Sequence, residues 1–137
     1  MQTGPLTLRV RYAETDQMGV AHHAAYLVWF EAARTEYLRS LGFSYRFMEG
    51  SGLFLPVVES LCRYRDPVTY DDVLKISTRL QELRRVRITL AYRACKENDT
   101  LSAEGYTVHA LLNREGKPIP FPADLRAALL AALESTK

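Results

Sequence analysis

The sequence predicts an α+β domain in which a five-stranded antiparallel sheet is wrapped on one long helix. Three observations predict it. Ala24 to Leu41 has the spacing of a single long helix, and its first two turns are apolar almost all round. Strand-like stretches then follow one another without another long helix. Their links are short, which favours antiparallel neighbours. A sheet that must cover one very apolar helix gives a two-layer structure.

Taken in order, Leu6 to Tyr12 is the first strand, because Leu6, Leu8, Val10 and Tyr12 alternate with Thr7, Arg9 and Arg11. Ala13 to Ala21 is irregular and carries Gly19. In the long helix the stripe runs Tyr26, Phe30, Ala33, Tyr37, Leu41, at spacings of four, three, four and four. Charges begin only at Glu31, so the helix start is expected to be buried. Gly42 fits a C-terminal stop, and Ser44 to Glu49 fits a further short turn of helix. Beyond Ser51-Gly52 the candidate strands are Pro56 to Arg65, Val73 to Gln81, Arg85 to Lys96 and Leu101 to Asn113. The third of these is the clearest. Val86, Ile88, Leu90, Tyr92 and Ala94 share one face, and Arg87, Thr89 and Arg93 the other. Glu97-Asn98-Asp99 is a hairpin turn. Asp66-Pro67 and Asp71-Asp72 bracket the longer connection. Asn113 to Pro118 is a turn, and Ala123 to Leu133 a short amphipathic helix.

The chain has 137 residues, which fits one domain over 1–137. It is 47% hydrophobic and 25% charged, an ordinary globular composition that argues against disorder. A net charge of +2 argues against a nucleic-acid binder driven by bulk charge. No apolar run reaches the length of a membrane span. Met1 to Leu8 lacks the basic start and apolar segment of a signal peptide, so the expectation is a cytoplasmic protein. Cys62 and Cys95 do not make a disulfide framework and read as buried free thiols. His22, His23 and His109 have no zinc-ligand spacing, so no metal is expected. Tyr64, Tyr92 and Tyr106, with their Val and Leu neighbours, leave more apolar sheet surface than a monomer needs. Edge strands and this surface predict a homo-oligomer.

The chemistry concentrates in the segment from Tyr12 to Glu31. Asp16 lies just before a glycine loop that leads into the start of the helix. A helix N-terminus offers unpaired N–H groups and a positive dipole end, so it can hold an anion or polarise a carbonyl oxygen. No Ser, Thr, Asp or Asn stands at positions 21 to 25 to cap it. That absence fits a site kept free for a ligand and equally fits a water-capped end. A carboxylate beside such a site can attack a polarised carbonyl or activate water. The bare pattern fits a turn residue just as well.

The same segment resembles the signature of the hotdog-fold acyl-CoA thioesterases. The branch is the one holding 4-hydroxybenzoyl-CoA thioesterase and the Tol–Pal-associated acyl-CoA thioesterases. The resemblance rests on Tyr12, Glu14-Thr15-Asp16, Gly19-Val20, His23 and Tyr26, then on Phe30 to Leu38. It continues more loosely through Asp66 to Asp72 and the later strands. The resemblance implies a hotdog fold and hydrolysis of a small or medium acyl-CoA. It implies Asp16 as the catalytic carboxylate, either nucleophile or general base. It implies the backbone N–H of His23 as the group that polarises the thioester oxygen, and Gly19 as the residue that lets the backbone pass close to it. Tyr26 and Glu59 are candidates for substrate binding: Tyr26 belongs to an aromatic set that reads mostly as core, and Glu59 lies on a strand that in hotdog dimers crosses the subunit interface, with a plain surface position as its default reading. The family usually has Asn where this chain has Ala25, and Ala can neither orient water nor brace the loop. The assembly implied is a dimer or a dimer of dimers (a homotetramer). No cofactor is implied, since coenzyme A is part of the substrate.

A thioester is an activated acyl group with a good leaving group, so one carboxylate and one oxyanion donor suffice. Arg84, Arg85 and Arg87 cluster between two strands, and arginine suits the phosphates of coenzyme A. A solvated turn reads equally well. His22 and His23, being adjacent, are expected to point apart, and His109 to be structural. Glu31, in a still-apolar stretch, is expected to pair with Arg34 or a strand residue if buried. It is the back-up nucleophile, since another hotdog branch uses a helix Glu. Phe47 and Phe54 are candidates for lining an acyl pocket. A hotdog dehydratase is the first rival, but His23 has no Asp downstream in its helix. A non-catalytic acyl-CoA-binding module is the second, and Asp16 argues against it.

Overall fold

The long helix takes its length from its two ends. In the computed structural model, which describes residues 5–135, α1 spans His23–Ser40. At its end Gly42 adopts φ +95°. Its N–H reaches Arg39 O, and that of Phe43 reaches Leu38 O. This paired closure needs a left-handed residue, which glycine supplies without strain. The helix buries Ala25, Tyr26, Trp29, Phe30, Ala33, Arg34 and Leu38. Trp29 and Leu38 therefore complete the predicted stripe, while Tyr37 and Leu41 only flank it. The expectation of an all-round buried helix start does not hold for this chain alone. Leu27 is 39% and Val28 58% exposed, because only one face of the helix meets the sheet. A second helix, α2, spans Tyr45–Gly50, and Ser44 Oγ caps it by accepting from Phe47 N.

Five strands form one sheet: β1 Leu6–Arg9, β2 Val57–Tyr64, β3 Val73–Leu83, β4 Arg87–Lys96 and β5 Leu101–Ala110. Their order is β1-β3-β4-β5-β2, and every neighbouring pair is antiparallel. So β2 is not beside β3, which follows it in the chain. It pairs with β5, and the connection through 65–72 carries the chain to the other side of the sheet. The first strand is shorter than its alternation suggested. After Arg9, Val10 exchanges backbone bonds with Asp71 and Asp72, and Tyr12–Glu14 turns as a short 3-10 helix. The last strand ends at Ala110 because Leu111 turns to Val86 O and Leu112 to Phe54.

Period-two alternation builds the core. Leu74, Ile76 and Leu80 of β3 and Ile88, Leu90, Tyr92 and Ala94 of β4 are buried. Phe30 stacks on Tyr92 with centroids 4.6 Å apart and planes 7° from parallel. Tyr92 is 1% exposed, so it belongs to the core and adds nothing to the outer apolar surface expected of it. Tyr64 does, at 49% exposed. Between β2 and β5 the strands close tightly at Gly105, opposite Cys62. The third helix, α3 (Ala123–Ser135), packs on β3 and buries Leu125, Leu129 and Ala132.

Candidate active site

The loop from Arg11 to His22 is a small hairpin made almost wholly of backbone bonds. Thr15 bridges Ala21, Asp16 N donates to Val20 O at 2.9 Å, and Gly19 N donates to Asp16 O at 2.9 Å. Gly19 sits at φ +81° with open space around its α-carbon, so the turn needs glycine for its dihedral and not for close contact within this chain. The hairpin hangs on the 65–72 connection through Ala21 N to Val68 O and a Val20–Thr69 bridge.

Asp16 sits where the hairpin begins to turn, and it is exposed. Its Oδ1 accepts from Met18 N at 2.8 Å. That is the turn role the bare pattern allowed. Its other carboxylate oxygen takes no hydrogen bond among the described residues, so it is open to a reacting partner.

The helix start is capped after all. His22 Nδ1 accepts from Ala24 N at 3.1 Å, a capping acceptor outside the usual residue types. The bond puts the ring proton of a neutral His22 on Nε2. Nor do the two histidines point apart, since their rings stack with centroids 4.2 Å apart. His22 N donates to Glu14 O at 2.6 Å, and Ala25 N to His22 O at 2.9 Å. The N–H of His23 has no partner among the described residues.

Glu14 fixes the loop to the helix. Its carboxylate accepts from Arg11 N at 2.8 Å, from Arg11 Nη2 at 3.3 Å and from Trp29 Nε1 at 2.8 Å. Burial pushes its carboxyl up, but these hydrogen bonds outweigh it and hold the group below the usual carboxylate value. The sequence reading gave Glu14 no role of its own. Tyr64 was read only as surface, yet its hydroxyl donates to His23 O at 2.8 Å.

Other candidates lie elsewhere. Tyr26 is 3% exposed, and its hydroxyl is taken up by Ser102 Oγ at 2.8 Å, which in turn donates to Asp66 O. It is a core residue in this chain. Glu59 accepts from Tyr106 OH at 2.7 Å. It stands five residues before Tyr64 on β2, about 16 Å along the strand. Arg84, Arg85 and Arg87 sit at the turn between β3 and β4, with Arg84 paired to Glu82. The Asp16 loop lies at the other end of β3, where Arg9 pairs with Val73. Eleven residues of strand, roughly 35 Å, separate the two ends. One chain therefore does not bring the arginines to Asp16.

Glu31 is exposed and forms no ion pair with Arg34 among the described residues. Arg34 is the buried member, 9% exposed, with its Nε donating to Tyr45 OH at 3.2 Å. It heads a buried polar chain that sequence reading missed. Tyr92 OH meets Thr107 Oγ1, which lies 2.7 Å from His109 Nε2, and His109 Nδ1 donates to Leu55 O at 3.1 Å. His109 is fully buried, and burial, with Arg34 nearby, pushes it down to about 4. Among the described residues no group of three or more His, Cys, Asp or Glu side chains is placed to hold a metal ion. Both thiols are free and half-buried.

Residues 10–129 match the family model described as the thioesterase-like superfamily. The chain belongs to that superfamily. As a thioesterase-like protein it is 34% identical over 122 residues to the acyl-CoA thioesterase YbgC of Haemophilus influenzae, covering 88% of this chain and 90% of that protein. Its fold superposes on the crystal structure of the hypothetical protein TT1821 from Thermus thermophilus with a TM-score of 0.90 at 38% identity, over 95% and 99% of the two chains. The DHNA-CoA thioesterase of Staphylococcus aureus gives a TM-score of 0.90 at 32% identity, over 98% and 95%. The hotdog sheet and helix of the thioesterase-like fold are thus the ones described above.

Proposed function

We propose that this protein hydrolyses the thioester of a small or medium acyl-CoA, with Asp16 as the carboxylate and the His23 N–H as the oxyanion donor. The observation that carries the reading is the hairpin of residues 15–21. It holds an exposed carboxylate just before a helix start; among the described residues one carboxylate oxygen and the first helical N–H take no partner. A thioester oxygen on that N–H gains a donor aligned with the helix dipole. The Asp16 carboxylate then either attacks the acyl carbon or takes a proton from an attacking water. The carbon–sulfur bond breaks and coenzyme A leaves as thiolate. In the first case water then cleaves the acyl–aspartyl anhydride. Neither route calls on a cofactor.

The reading includes a homo-oligomer, a dimer or dimer of dimers, acting in the cytoplasm. Its support is the exposed apolar set Leu27, Val28, Val57, Val58 and Tyr64, together with two free thiols that suit a reducing compartment. In such an assembly Glu59 and the Arg84, Arg85 and Arg87 cluster would serve the site of a second copy, since within one chain they stand far from Asp16.

The test is hydrolysis of a panel of acyl-CoA thioesters, followed by release of free thiol, with Asp16→Asn beside the wild type. The expected result is a loss of about 100-fold or more in turnover with the fold intact. One observation favours a second reading, a non-catalytic acyl-CoA-binding protein: Oδ1 of Asp16 is occupied by Met18 N–H. Acyl-CoA binding without hydrolysis by the wild type would establish that reading instead.

A further inference from the structure

The His23 N–H lies between two peptide units that are each fixed by groups from elsewhere. On its N-terminal side, His22 N is bound to Glu14 O. On its C-terminal side the His23–Ala24 peptide is gripped at both ends. Its carbonyl accepts from Tyr64 OH at 2.8 Å, and its N–H donates to His22 Nδ1 at 3.1 Å. The Tyr64 ring is itself held, edge-on to Tyr26 at 5.2 Å and 79°, and Tyr26 is buried in the core. So a core aromatic, through an edge-strand tyrosine, sets the orientation of one peptide plane at the helix start.

We propose that Tyr64 and His22 are positioning residues for the reaction: together they clamp the His23–Ala24 peptide, and so hold the adjoining His22–His23 peptide with its His23 N–H pointing, already oriented, at the developing oxyanion. The inference rests on the thioesterase reading given above. Its physical reason is that a preorganised donor stabilises transition-state charge without reorienting during the reaction. An unclamped first turn frays, and its N–H spends part of its time misdirected. The Tyr64 hydroxyl is suited to the task. Burial and the neighbouring Cys62 hold it protonated, its pKa pushed up to about 12, so it remains a donor across the working range of the enzyme. His22 acts as an acceptor and needs Nδ1 unprotonated.

The experiment uses the full chain and the best acyl-CoA from the panel, with four variants. Tyr64→Phe keeps the ring on Tyr26 and removes only the donor. His22→Ala removes the acceptor, and His22→Asn replaces it with another capping side chain. Asp16→Asn is the control for the reaction itself. The expected result is a fall in kcat of roughly 10-fold or more for Tyr64→Phe and for His22→Ala, with KM within about twofold. His22→Asn should recover most of the lost kcat. A tyrosine that merely held β2 to the helix would change stability and leave kcat alone, and a simple cap would not couple to Tyr64. The double variant Tyr64→Phe/His22→Ala should therefore lose less than the product of the single losses, because both act on one peptide. Wild-type kcat in Tyr64→Phe, with Asp16→Asn inactive, would overturn this inference and leave the thioesterase reading standing. Full activity in Asp16→Asn, or no hydrolysis of any acyl-CoA, would overturn both.

Discussion

The indole N–H of Trp29 donates to the carboxylate of Glu14 at 2.8 Å, across the junction between the loop and the long helix. The bond ties a core aromatic to the residue whose own carbonyl receives His22 N. Replacing Glu14 with Gln keeps the shape and removes the charge. The expected loss is about 1.5–3 kcal/mol at neutral pH, the range for hydrogen bonds to a charged group. The sign with pH follows from the lowered carboxyl. Its contribution is present above the unfolded carboxylate value and is lost as pH falls through the folded one. Urea melts of wild type and variant at pH 7 and at pH 3 should show the gap narrow at the lower pH. A gap of equal size at both would show that the charge contributes nothing.

His109 predicts an acid weakness of its own. It is buried neutral, with Nδ1–H on Leu55 O and Nε2 facing the Thr107 hydroxyl, and the Arg34 guanidinium repels any added proton. The folded value, about 4, lies below the unfolded value of about 6.5. The unfolded chain therefore takes up the proton first. Stability is complete above about pH 6.5 and drains away as pH falls toward 4, by about 3 kcal/mol in all. A His109→Gln variant keeps a donor and an acceptor but does not titrate. Unfolding free energies measured from pH 7.5 to 4 should fall more steeply for wild type than for this variant. Parallel curves would rule the histidine out as the source.

Gly105 has no room for a side chain. A β-carbon there would lie 2.1 Å from Leu61 O and 3.1 Å from Cys62 Cα, both backbone atoms of the facing strand. Gly105→Ala must therefore push β2 away from β5, at a cost of about 3 kcal/mol or more. Hydrogen exchange should locate the damage to the amides of β2 and β5. Exchange no faster there than in wild type would show that the strands absorb a methyl group.

Gly19 is the opposite case, limited by dihedral and not by space. Gly19→Ala should fold, with a loss of about 1–2 kcal/mol from its positive φ. Gly19→Asn should lose less, since asparagine enters that region more easily. Thermal midpoints in the order Gly, Asn, Ala test it, and equal midpoints would mean the loop does not hold this conformation in solution.

Much of the fold was legible because its signals are local. The stripe from Tyr26 to Leu41, the stop at Gly42 and the alternation from Ile88 to Ala94 each act over a few residues, and each lies where the spacing put it. Strand order was not legible, because adjacency in the chain says nothing of the pairing of β2 with β5. For the same reason the sequence could not say how far Arg84, Arg85 and Arg87 stand from Asp16, and the length of β3 keeps them apart within one chain. Asp16 itself stood out through its motif, since in bare chemical terms it is also a turn residue. His22 as a cap escaped notice because histidine is rarely one. Arg34 escaped because a buried cation is recognised only by what surrounds it, here Tyr45 and Tyr92.

The His23 N–H belongs to the main chain, and heredity cannot delete it short of writing proline at that position. Changes of the side chain at position 23 leave that N–H, the donor of the proposed mechanism, in place. What variation can alter is the scaffold around it: Tyr64, His22 and Glu14, drawn from an edge strand, a cap and a loop. On the proposed mechanism, the ring at position 23 is then free to change while the groups that aim its amide are not. If the proposal holds, a mutational survey of this protein would find the donor only by its shadow, in residues that never touch the thioester.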